Sequence, residues 1–154
     1  MLQKIRKFSR LAGPQRRLFL EAYARLAWMR AAITLVPFKR LVRGLEMRPG
    51  ADAPEIGAQQ LQAALAIGEA VRSAAGNTPW ESACLAQALT AQRMLASRGI
   101  GGVFQLGAAM NGAAEERLRA HAWLVCGGRI ISGAAGHKQY AVISTFRWKG
   151  QQSG

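Results

Sequence analysis

Residues 78–94 read TPWESACLAQALTAQRM, an alanine-rich helical pattern with a cysteine near its start. Thr78 and Glu81 fit a T-x-x-E capping box with Pro79 at the first helical position, and Ser82 offers a second, later cap. With the later start, Cys84 lies in the first turn. There the positive end of the helix dipole favours a thiolate, the form that attacks a carbonyl carbon. With the earlier start that help is weaker. The plainer reading is a structural cysteine packed among Ala83, Leu85 and Ala86, and the helix alone does not choose between the two.

Outward from this helix the pattern changes character. A C-terminal stop is expected at Gly99, a left-handed cap after Arg98. Beyond it come short alternating β-compatible runs: GVFQLGAAM, RLRAHAWLVC, RIISG and YAVISTFRW. On the N-terminal side, residues 55–74 form a second helical pattern with Ile56, Leu61, Leu65 and Ile67 among alanines, broken by AAGN. Helices first and an antiparallel sheet second predict an α+β domain.

Further upstream, RPGADAP at 48–54 reads as a linker. It divides a basic, apolar helical segment at 1–47 from a core at 55–148. Residues 14–36 open with Pro14 and stop before Pro37, so a long helix is expected. It is apolar almost all round. Glu21, Arg25 and Arg30 interrupt it at a cost that disfavours a bilayer span, and a packed helix is expected instead. MLQKIRKFSR is basic but is followed by no signal-like apolar run, so a cytoplasmic setting is expected.

The chain has 154 residues, half of them hydrophobic, which suits about one domain with a real core. Its 21 Lys and Arg against 8 Asp and Glu give a net charge of +13. Such a surplus fits an acidic peptide, an anionic membrane surface or nucleic acid. Nucleic acid is the poorest of these fits, because the basic residues are not interleaved with aromatics in any recognisable module. The two cysteines match neither a disulfide framework nor a zinc pattern.

The run AHAWLVCGGR at 120–129 supplies a partner for Cys84. Along a strand, His121, Trp123 and Val125 face one way, and Ala122, Leu124 and Cys126 the other. Cys126 therefore reads as a small core residue, and His121 as the base available to the distant Cys84. Gly127 and Gly128 make a two-residue hairpin turn. In uninterrupted register Leu124 pairs Ile131, Trp123 pairs Ser132, Ala122 pairs Gly133 and His121 pairs Ala134. Ser132 then sits diagonally beside His121 on the same face.

Five pieces together, spanning most of the chain, resemble one known family: residues 10–41, PWESACLAQALTAQRMLASRGI, GVFQLGAAM, AHAWLVCGGRIISG and YAVISTF. The sequence resembles the transglutaminase-like cysteine peptidases of lasso-peptide biosynthesis, which remove the leader from a ribosomally made precursor. The resemblance implies a papain-like or transglutaminase-like fold with a Cys-His-Asp site, Cys84 matching the nucleophile and His121 the general base. It implies no cofactor and no metal. The partners it implies are the precursor's leader peptide, a leader-recognition protein and an ATP-dependent lasso cyclase. One element departs from the pattern. The family's Asp follows the histidine, whereas the sole Asp here is Asp52, far upstream. The expected orienter of His121 is then Ser132, a backbone carbonyl beside it, or none. Gln87 and Trp80 are the candidate side-chain donors for an oxyanion. A non-catalytic binding module and a transamidase with an amine acceptor remain the alternatives.

Overall fold

A computed structural model describes residue 6, residues 8–110 and residues 118–150. Residues 1–5 and 7 of the N-terminal segment and Arg117, where the second run was expected to begin, lie outside the described residues. Helix α1 spans Gly13–Leu35, with Pro14 in its first turn as expected. Its buried positions, Ala22, Leu26, Met29 and Ala32, recur at helical spacing. The opposite side leaves Leu20, Trp28 and Leu35 exposed. A short helix α2, Phe38–Leu41, and a two-residue strand β1, Glu46–Met47, follow. Neither was legible in the sequence.

Helix α3 covers Ala58–Ala75 and α4 covers Cys84–Ser97. Gly99 follows with φ +69, the left-handed exit expected for it. The capping box at Thr78 does not form. The Thr78 hydroxyl bonds the Ala75 carbonyl at 3.0 Å, the Trp80 carbonyl at 2.8 Å and the Ser82 hydroxyl at 2.9 Å. Ala75 lies in the last turn of α3, where carbonyls have no intrahelical donor, so Thr78 closes the preceding helix instead of opening the next. No helix is long and apolar enough to cross a membrane, among the described residues.

Four longer strands complete an antiparallel sheet of order β1-β5-β2-β3-β4: β2 Gly102–Met110, β3 Leu118–Cys126, β4 Arg129–Ser132 and β5 Ala141–Trp148. This is the expected α+β arrangement, helices first and sheet second. Gly127 and Gly128, both at positive φ, turn β3 into β4 as expected. Register holds for Cys126 with Arg129 and Val125 with Ile130, but Leu124 then pairs Ser132 rather than Ile131. Ile131 is the extra residue of a bulge. Its physical cause lies in α3: a Cβ on Gly68 would stand 2.3 Å from the Ile131 carbonyl oxygen, so helix and strand touch main chain to main chain. The expected pairings of Trp123 with Ser132, Ala122 with Gly133 and His121 with Ala134 are thereby replaced.

The helices cover one face of the sheet. Ala122, Leu124 and Cys126 join Leu26, Ile67, Leu89, Met94 and Phe104 in one buried cluster, so α1 shares its core with α3, α4 and the strands. Cys126 is fully buried, and burial pushes its thiol up to about 12. At the far end of α4, Glu21 of α1 accepts from both terminal nitrogens of Arg98, at 2.6 and 3.2 Å, and from Arg25 at 3.0 Å. These bonds hold the Glu21 carboxyl below its ordinary value.

Candidate active site

Cys84 is the first residue of α4, one position inside an Ala83 cap that makes no side-chain bond. The helix starts later than either expected cap, Thr78 or Ser82, and Cys84 lies in its first turn as the later start required. The first-turn amides of a helix have no intrahelical acceptor, so those of Cys84, Leu85 and Ala86 are donors awaiting an oxygen. The thiol is free and half-buried. Arg30 of α1 donates to the Glu81 carbonyl at 2.7 Å, tying down the chain just before the cysteine.

His121 lies on β3 opposite Gly107 of β2. The empty place above Gly107 is filled from the side: a Cβ there would meet the Trp123 ring at 2.6 Å and Tyr140 at 2.8 Å. The imidazole stacks on Tyr140 at 5.0 Å and on Trp123 at 5.8 Å, with planes within 30° in both pairs. Its Nε2 is 2.8 Å from the Gly133 carbonyl oxygen. A carbonyl only accepts, so Nε2 carries the proton and Nδ1 of the neutral ring keeps a lone pair.

Cys84 and His121 line the same cleft, of about 410 Å³, with Gln87, Gly68 and the chain from Ile130 to Ala135. No hydrogen bond joins Sγ to the ring among the described residues. Ser132 also lines the cleft, but the group bonded to the ring is the Gly133 carbonyl. Of the three alternatives expected beside His121, the carbonyl next to Ser132 is the group that hydrogen-bonds the ring. The bulge at Ile131 and the left-handed Gly133, φ +80, carry it there. Gln87 lines the cleft and donates to the Ser82 carbonyl at 2.8 Å, which leaves its second amide hydrogen unbonded among the described residues. Trp80 packs against Tyr23 at 5.9 Å and is absent from the lining.

Two cleft residues escaped sequence reasoning. Glu69 and Arg72, paired with each other on α3, stand on the cleft wall. Their i, i+3 spacing reads as an ordinary exposed helix pair, and only the fold places it beside Cys84. Among the described residues no group of three His, Cys, Asp or Glu side chains is arranged to hold a metal ion.

A family model described as the transglutaminase-like superfamily matches residues 21–145. No curated protein and no solved structure matched the chain.

Proposed function

The chain belongs to the transglutaminase-like superfamily, which includes cysteine peptidases and transglutaminases, and from that premise we propose that it is a cysteine peptidase removing the leader from a lasso-peptide precursor. The observation that carries the reading is one cleft holding a helix-start thiol and a histidine whose proton is fixed on Nε2. Nδ1 takes the Cys84 proton as Sγ attacks the carbonyl carbon of the last leader residue. The oxyanion is received by first-turn amides and the spare Gln87 hydrogen. His121 then gives its proton to the departing amine. The C–N bond breaks, and a thioester remains on Cys84. Water, losing a proton to Nδ1, hydrolyses the thioester and restores the thiol. Throughout, the Gly133 carbonyl accepts from Nε2–H. A neutral acceptor stabilises the imidazolium less than a carboxylate does, so slow turnover is expected.

In this reading the protein works in the cytoplasm with a leader-recognition protein and an ATP-dependent lasso cyclase, the latter consuming the released amine. The N-terminal segment 1–47 serves as a docking surface, supported by the exposed Leu20, Trp28 and Leu35 beside basic residues. The decisive experiment incubates the protein with precursor and recognition protein and weighs the products. Leader and core fragments whose masses sum to the precursor plus one water are expected, and Cys84→Ala yields none. An amine adduct of the leader identifies a transamidase instead. Intact precursor with the wild-type protein and every partner present overturns the proposal.

A further inference from the structure

The second large concavity, of about 720 Å³, lies at the other end of α4 from Cys84. Cys84 and Ala96 are separated by about 18 Å along the helix axis, so the two sites are distinct. Its walls bring together Arg43 after α2, Gln92 and Arg93 of α4, and Arg147 and Lys149 at the end of β5. Arg25 also reaches the groove but is engaged by Glu21. The groove's sole carboxylate, Glu46, pairs with Arg48 at 2.9 Å. Four cations thus stand in one concavity with no carboxylate partner among the described residues.

Arg93 donates to the Leu41 carbonyl at 3.5 Å and lies over the Trp28 ring, contacts that leave its charge without a carboxylate. Arg43 and Lys149 are exposed and Arg147 is half-buried, so the charges are open to a ligand in the groove. Uncompensated positive charge gathered in a concavity attracts an anionic partner. We propose that this groove binds an acidic peptide in extended conformation.

Two observations select a peptide from among anions. Arg147 and Lys149 are two apart at the end of β5, a spacing that matches carboxylates on alternate residues of an extended chain. The groove also runs along Leu45 and Glu46 into β1, the outermost strand, whose free edge offers main-chain N–H and C=O groups to a further strand. Nucleic acid finds no stacking platform here. The one aromatic among its lining residues, Trp148, is buried with its Nε1–H on the Ile100 carbonyl. The inference does not rest on the peptidase reading, because no group of the Cys84 cleft enters it.

The test is fluorescence anisotropy of a labelled ten-residue peptide alternating Glu and Val, titrated with the full chain carrying Cys84→Ala. Saturable binding that weakens with added salt is expected, and a Gln-Val peptide does not bind. Arg93→Gln and Arg147→Gln each weaken binding about tenfold, as for the loss of a charge-assisted hydrogen bond. Arg43→Gln, at an exposed site that does not endanger folding, weakens it several-fold. Arg129→Gln, at the exposed first residue of β4 and outside the groove, leaves it unchanged. Equal binding of the Gln-Val peptide, or groove variants that behave like Arg129→Gln, overturns the proposal. So does tighter, Arg147-dependent binding of single-stranded DNA, inorganic phosphate or phosphatidylglycerol vesicles.

Discussion

Gly133→Ala tests the link between backbone path and site. Gly133 sits at φ +80, and a Cβ there would lie 2.4 Å from the Ala122 carbonyl oxygen and 2.9 Å from Trp123 Cβ. A left-handed alanine costs about 1–2 kcal/mol. The clash is with main chain, which cannot swing aside, so residue 133 must shift and its carbonyl leaves Nε2 of His121. That bond contributes about 1 kcal/mol. The expected loss is about 3 kcal/mol, which for a chain of this size lowers Tm by roughly 6–12 °C. Gly128→Ala is the control. Its φ is +78 but nothing lies within 4 Å of its Cβ, so only the conformational cost of about 1–2 kcal/mol applies. Thermal unfolding gives the stability difference, and nitrogen NMR of the His121 ring gives the tautomer. In the wild type the proton resides on Nε2; in Gly133→Ala it is shared between the two nitrogens. If both glycine variants lose the same Tm and the ring signals of Gly133→Ala match the wild type, the orienting role of that carbonyl is wrong.

Other expectations follow from burial, register and charge. Cys84→Ala abolishes leader removal with the fold retained, whereas Cys126→Ala keeps most activity because its side chain faces the core; equal losses in a cleavage assay refute this division. Since the Cys126 thiol is held neutral up to about 12 in the folded state against an ordinary 9.0, its stabilising contribution is complete below pH 9 and declines as pH rises towards 12. Denaturation series at pH 8 and 11 should show a steeper alkaline loss in the wild type than in Cys126→Ala. Glu21 has the opposite sign: its lowered carboxyl stabilises above the ordinary 4.5 and loses that contribution as pH falls through its folded value. The stability gap between wild type and Glu21→Gln, clear at pH 7, should close under acid. Ser132→Ala changes turnover modestly, since the ring is held by its neighbour's carbonyl, and Ser132→Asp shifts the pH–rate profile only if the new carboxylate reaches the imidazole.

Elements governed by local chemistry were readable from the chain. The helical spacing of α1, α3 and α4, the Gly99 exit and the Gly127–Gly128 turn all depend on residues within a few positions of one another. They appear where expected except that α3 and α4 start later, at Ala58, which leaves Ile56 outside the helix, and at Cys84. The rest turned on contacts distant in sequence. Thr78 was misassigned because the competing acceptor, the Ala75 carbonyl, belongs to the preceding helix. The Ile131 bulge answers to Gly68, in a different element. At the site, the thiol and the imidazole were visible as side chains in a pattern, but the group that fixes the imidazole proton is main chain and leaves no letter in the sequence. The basic groove was hidden for another reason. Its cations come from positions 43, 93, 147 and 149, which no linear window unites.

The carbonyl that holds His121 belongs to the path of the chain rather than to a residue type. A carboxylate orienter vanishes with a single codon change; an amide oxygen survives every substitution that leaves the loop where it is. Evolution can remove it only by changing the length of the segment after β4 or by placing bulk at Gly133. Nor does an amide oxygen take up a proton anywhere in the physiological range. A carboxylate orienter loosens its hold on a ring when it is protonated, whereas the Gly133 oxygen remains an acceptor with no proton to gain.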